Sequence, residues 1–284
     1  MMKFTNILTN ILIFKTAPIL IGTVLVSSPS LAASFASSKG EVIIDGFSKN
    51  PYQVGVETNA EEFFVFGDGD QAYVDAFAEA NFVADPSGAD NTSSSEAGGT
   101  GSNFFALGES TARVIGDFSI LPGETFEFDF EVYFDLKTSI DNSSDESANA
   151  EGNVSFFIFD TTAEDTPILL DFFGVSGNLE TPGDNDFFGS TQNIVPSNFS
   201  ISPSSSVNES FGGNKESISA FFDGSYQRTF DGNQIRNIRL VEIKANSAQV
   251  QSTPEPSATI AFILFSAVGV STRFKSRINR THLR

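Results

Sequence analysis

The sequence has no cysteine, no tryptophan and a single histidine among 284 residues. Without thiols there are no disulfides, no thiolate metal sites and no cysteine nucleophile, so stability must come from packing or from bound ions. The lone imidazole, His282, stands in the last stretch of the chain. The rest therefore has no imidazole for a general base or a zinc shell, and Ser-His-Asp catalysis is excluded on inventory. A Ser-Lys dyad would need Lys39, Lys49, Lys137, Lys215 or Lys244 desolvated beside a serine, and no motif nominates one. Two carboxylates can hydrolyse a glycoside, but 36 acidic residues single out no pair. The chain is expected not to be an enzyme. With tryptophan absent, sugar-stacking platforms would fall to Tyr52, Tyr73, Tyr133 and Tyr226.

Basic residues are scarce as well, 16 against 36 acidic ones, and their distribution is uneven. Residues 1–33 and 257–284 contain no Asp or Glu, so the stretch between them holds every acid and only nine Lys or Arg, a formal charge of −27. Such a field repels nucleic-acid backbones and anionic headgroups, so no nucleic-acid partner is expected. About 220 residues suffice for one sizeable domain.

The two acid-free ends have patterns of their own. Met1 to Ala33 carries Lys3 and Lys15, an apolar stretch from Ala17 to Val26, and then small residues ending in Leu-Ala-Ala. A charged start, an apolar centre and a small-residue cut after Ala32 or Ala33 make a secretory signal peptide, a signal helix read by Sec-type export machinery. At the other end, Pro254-Glu255-Pro256 precedes an uncharged apolar run from Ala258 to Val270, followed by Arg273, Lys275, Arg277, Arg280 and Arg284. As a helix the run rises about 20 Å, against about 30 Å of hydrocarbon, a short membrane span that flanking residues and snorkelling cations extend. Cations on one side only would keep that side cytoplasmic and leave the body outside. The expected organisation is a signal peptide at 1–33, an extracellular domain at 34–251 and a sorting and anchor tail at 252–284.

Proline corner, apolar run and basic end together resemble the PEP-CTERM sorting signal of bacterial surface proteins. The resemblance covers the last thirty or so residues. It implies recognition and removal by an exosortase-like membrane peptidase, with Pro254, Glu255, Pro256, Arg273, Lys275 and Arg277 as the sorting motif. It further implies a membrane-anchored stage and then the cell surface or the extracellular space, in company with extracellular polysaccharide. Stretches of the body such as LPGETFEFDFEV and FGGNKESISAFFDGSYQRTF resemble the all-β bodies of such proteins, which implies fold and location but no activity.

The body reads as β throughout. From Thr125 to Leu136, Phe126, Phe128, Phe130, Val132, Phe134 and Leu136 alternate with Glu127, Asp129, Glu131, Tyr133 and Asp135. That is the period of a strand half buried in an antiparallel sheet, and Leu121-Pro122-Gly123-Glu124 before it reads as a turn. Further strands are expected at 41–47, 63–66, 73–83, 110–120, 154–159, 168–175, 217–222, 225–230 and 235–245, with 73–83 the one that could be a helix. Their spacing suits an antiparallel β-sandwich, jelly-roll-like, with long polar loops. Asp223-Gly224 reads as a two-residue hairpin turn, and the apolar phase switch between Ile238-Leu240 and Val241-Ile243 as a bulge or a strand buried on both faces. Three polar, low-complexity stretches, 85–102, 139–152 and 176–215, read as mobile loops.

The acidic row Glu127, Asp129, Glu131, Asp135 has members about 6.8 Å apart, too far for neighbours on one strand to chelate one ion, and reads first as a solvated face. Calcium candidates lie in loops: Asp68, Asp70 and Asp75; Asp141, Asp145 and Glu146; Asp184 and Asp186. None follows the EF-hand spacing. Six Phe-Phe doublets would put one ring on each face of a strand, and the outer rings could form a partner surface. The expected role is structural or adhesive; the alternatives are a glycan- or calcium-binding module and then a secreted hydrolase.

Overall fold

The computed structural model describes residues 33–253 apart from 164 and 193–197, and every regular element among them is a β-strand. One antiparallel sheet runs in spatial order β10 (Phe199–Ile201), β12 (Lys215–Thr229), β6 (Thr125–Ser139), β1 (Ala33–Asp45), β4 (Ser87–Thr100), β3 (Gln71–Ala84), with β11 (Ser206–Ser210) also paired to β12. The other runs β2 (Gln53–Phe66), β5 (Phe104–Ile120), β13 (Arg236–Ser252), β7 (Glu146–Asp160), β8 (Ile168–Thr181), β9 (Phe187–Gln192). The inner faces of the two sheets pack on each other in a sandwich-like arrangement.

The expected alternation of β6 is seen residue by residue. Its six apolar side chains are buried, while Glu127, Asp129 and Tyr133 on the other face are exposed. The turn before it closes as expected, with Gly123 at φ +78° and Glu124 N–H donating to the Leu121 carbonyl at 3.1 Å. The doubtful segment at 73–83 is the strand β3, and its alternating burial shows why the small alanines fit there: they line its inner side.

Several loop and turn expectations are corrected. The stretch 85–102 is mostly β4, an interior strand paired with both β1 and β3. Its inner positions, Ala89, Asn91, Ser93, Ser95 and Ala97, are buried although three are polar, so hydropathy gave no periodic signal. Of 139–152, residues 146–152 belong to β7, and within 176–215 lie the end of β8 and all of β9, β10 and β11. Asp223-Gly224 is no turn. Both residues lie within β12, opposite Glu131 and Phe130 of β6. A Cβ on Gly224 would come within 2.5 Å of the Phe130 ring and 2.7 Å of the Ser200 carbonyl, so this glycine answers to close packing. At 238–243 there is no bulge in the pairing of β13 with β5 or β7. The inner face of β13 keeps its phase and passes from Ile238 and Leu240 to Glu242, Lys244 and Asn246, with Val241 buried on the outer side.

Two apolar clusters fill the interior. The larger is aromatic: Phe126, Phe128, Phe130, Phe156, Phe173, Phe199 and Tyr226 meet there, with Phe128 and Tyr226 stacked at 5.2 Å between ring centroids. Each such side chain contributes about 1.5–3 kcal/mol when fully buried. The smaller is built from Ala36, Ala97, Phe104, Ala106, Ile140, Ala148, Ala248 and Val250.

Candidate functional site

Between the two clusters lies a polar band that crosses the interior. β13 supplies Glu242, Lys244 and Asn246, β4 supplies Asn91, Ser93 and Ser95, β1 supplies Ser38 and β5 supplies Ser110, all buried. Lys244 Nζ donates to the Asn91 side-chain oxygen at 2.7 Å and to its carbonyl at 2.9 Å, and Asn91 Nδ2 donates to Glu242 Oε2. Asn246 Nδ2 donates to the Ser93 carbonyl at 3.0 Å, Ser38 Oγ donates to Asn246 Oδ1 at 2.8 Å, and the Ser95 and Ser110 hydroxyls pair at 3.0 Å. Room for the lysine comes from Gly40, where a Cβ would stand 2.7 Å from Lys244 Cδ. Desolvation dominates both charges: it raises the Glu242 carboxyl pKa and lowers that of the Lys244 amine, which favours the neutral form of each. Glu242 Oε1 has no hydrogen-bond partner. The band joins the two sheets, and two of its residues, Ser110 and Asn246, also border an open groove on the outer side of β5 and β13.

A second buried carboxylate, Asp171 on β8, accepts from Tyr226 OH at 2.8 Å, Arg228 at 2.7 Å and Asn198 Nδ2 at 2.8 Å. It ties β12 to β8, and it takes Tyr226 off the list of sugar platforms: that ring is wholly buried, and its hydroxyl pKa is pushed well up by burial and by Asp171. Tyr52, Tyr73 and Tyr133 are exposed. Tyr133 stands beside Phe221 with centroids 4.8 Å apart, in the company of Glu131, to which its hydroxyl donates at 3.3 Å.

The acidic row of β6 faces outward. Cross-strand register adds Asp45 beside Asp129 and Asp223 beside Glu131, while Lys137 pairs with Asp135 at 2.6 Å along β6. On the opposite sheet Glu61, Glu109, Ser247 and Glu151 follow one another across β2, β5, β13 and β7, bordering an open groove of about 300 Å³ with Asn59 and Asn153. Carboxylates rim it without an aromatic floor, which suits solvent better than a sugar.

The calcium candidates are engaged locally. Asp70 Oδ1 accepts from Ser102 N–H at 3.0 Å, Glu146 Oε2 accepts from Asp141 N–H at 2.7 Å and Asn142 N–H at 3.1 Å, Asp145 accepts from Asn142 Nδ2 at 2.9 Å, and Asp186 accepts from Glu180 N–H at 2.9 Å. Asp68 lies in the β2–β3 turn, Asp75 on β3 opposite Glu96, and Asp184 between β8 and β9. Among the described residues no three of His, Asp and Glu stand where they could hold one metal ion.

The doublets divide as expected of strands: Phe104, Phe156, Phe173 and Phe222 are buried while Phe105, Phe157, Phe172 and Phe221 are partly open. Phe63-Phe64 departs from this, because both rings are exposed on the edge strand β2. Sequence reasoning missed Glu242 and Asn246 and named Lys244 only as one of five lysines, without singling it out as the buried one. The signal available was their period-2 continuation of Ile238 and Leu240, matched by Asn91, Ser93 and Ser95.

Ala33, the second candidate cleavage residue, opens β1 opposite Thr100. Ala32, Pro254, Glu255, Pro256, Arg273, Lys275, Arg277 and His282 lie outside the described residues, as do the apolar runs of both ends. Among the described residues no helix is long and apolar enough to cross a membrane. Compared with protein-family models, with curated proteins and with solved structures, the chain matches none.

Proposed function

We propose that the chain is an exported bacterial surface protein whose jelly-roll-like body is delivered by an N-terminal signal peptide and sorted by a PEP-CTERM tail. The observation that carries this reading is the charge division of the sequence: two acid-free ends, each with an apolar run and cations, bracket a body that holds all 36 acids. Two structural features support it. Among the described residues the body has two apolar clusters that form its core. Its two termini also leave from the same end, since Ala33 pairs with Thr100, just before Phe104, and Phe104 pairs with Ser252. The delivered body serves a structural or adhesive role at the envelope or in the extracellular matrix, where its acidic outer faces keep it soluble. Its partners are the Sec-type machinery, an exosortase-like peptidase, the membrane through the tail, and extracellular polysaccharide.

Intact mass of the mature surface form tests both cuts at once, with loss of the first 32 or 33 residues and of the tail expected. A reporter fused to Ser252–Arg284 should fractionate with membranes; a reporter found wholly in the aqueous phase would remove the localisation. The Tyr133–Phe221 pair favours a second reading, a glycan-binding face, in which Tyr133→Ala abolishes retention on an acidic-poor polysaccharide column.

A further inference from the structure

We propose that, while the apolar tail occupies the bilayer, the aromatic end of β2 rests in the headgroup layer of a net-neutral lipid surface. This rests on the membrane reading of the tail. Phe63, Phe64, Val65 and Phe66 are 55%, 48%, 53% and 54% exposed, on an edge strand open on both faces. Phe63 meets Phe105 edge-on at 5.9 Å and Phe64 stacks with Phe66 at 6.3 Å, so apolar surface projects from both sides of one strand end. An exposed cluster of this kind marks an interaction surface.

What it faces follows from where the chain leaves. Val65, Phe66 and Phe105 line one notch of about 220 Å³ together with Gln251, Ser252 and Thr253. The apolar run begins at Ala258, and five residues of extended chain reach at most about 18 Å. A bilayer holding that run therefore lies close to the aromatic end. Rings with open edges settle favourably at headgroup depth, and Tyr73, which shares a cavity with Phe66, adds a polar tip suited to that layer. A second copy of β2 fits less well: antiparallel pairing about the strand centre would set Glu57 beside Glu62. The headgroups are net-neutral because Asp68 and Asp70, in the adjoining turn, repel anionic lipid.

The absence of tryptophan gives a clean test. In the full chain reconstituted in phosphatidylcholine vesicles, single variants Phe64→Trp and Phe66→Trp should shift to the blue and lose intensity to brominated lipid, whereas Leu121→Trp, at the opposite end, should not. Far-ultraviolet circular dichroism checks that each variant keeps its strands, and Phe63→Trp replaces any that does not. Phe265→Trp reports the tail. Quenching at 265 without quenching at 64 and 66 overturns the proposal and leaves the tail reading standing. No quenching at 265 removes both. Blue shifts at 64 and 66 that depend on protein concentration and need no lipid assign the patch to a second copy. Quenching undiminished in vesicles rich in phosphatidylserine overturns the choice of headgroup.

Discussion

Single residues in the interior control how the two sheets are held together. Tyr226 spans from the aromatic cluster to Asp171, so Tyr226→Phe removes one hydrogen bond from a buried carboxylate that keeps Arg228 and Asn198. A loss of about 1–2 kcal/mol is expected in the urea unfolding free energy. Glu242 and Lys244 act in the opposite sense. The raised pKa of Glu242 means that its contribution is complete below the ordinary carboxyl value of 4.5 and is lost as pH rises toward the raised value. The lowered pKa of Lys244 means that its contribution is complete above 10.5 and is lost as pH falls toward the lowered value. Both weaken the fold together in the range between. The double variant Glu242→Gln/Lys244→Met should therefore gain about 1–4 kcal/mol near neutrality and less toward pH 4.5 or 10.5. Urea midpoints across that range measure it, and a gain largest at either extreme would contradict the assignment.

At the scale of strands, β12 is the element whose sequence is most misleading. Its Asp223-Gly224 pair has turn chemistry, yet β12 pairs with β6 from Lys215 to Thr229 without a break. The glycine is there because β10 and the Phe130 ring close over it. Gly224→Val should cost about 1–3 kcal/mol by overpacking and free β10 first, seen as earlier cleavage near Ser200 in limited proteolysis. Protection equal to the parent chain would show that the contact is slack. Strands β5, β6 and β8 could be read from apolar periodicity because their inner faces are mostly apolar, with Ser110, Thr138 and Asp171 among the buried polar exceptions. β4 could not, because the middle of its inner face opposes polar Lys244 and Asn246, so Asn91, Ser93 and Ser95 are buried between Ala89 and Ala97. Asn91-Thr92-Ser93 is an N-x-S/T triplet, and its asparagine is buried inside that strand.

For the molecule as a whole, charge of one sign dominates. Between 34 and 256 the formal charge is −27, spread over the outer faces of both sheets, with six ion pairs among the described residues. Raising ionic strength from about 0.01 M to about 0.15 M shortens the screening length from about 30 Å to about 8 Å, so the melting temperature should rise. Differential scanning calorimetry would show it, and a falling midpoint would mean that ion pairs outweigh self-repulsion. Millimolar calcium beyond that ionic-strength effect should leave the midpoint unmoved, since the candidate carboxylates do not converge.

The sequence by itself determined the all-β class, the strand of β6 and the uneven charge, because each is written in local periodicity or in composition. Only the tertiary structure decided that a serine-rich stretch is an interior strand, that a glycine in β12 is a packing site, and that a lysine and a glutamate are buried. Those outcomes depend on which faces close over which, a relation between residues distant along the chain that no local pattern encodes.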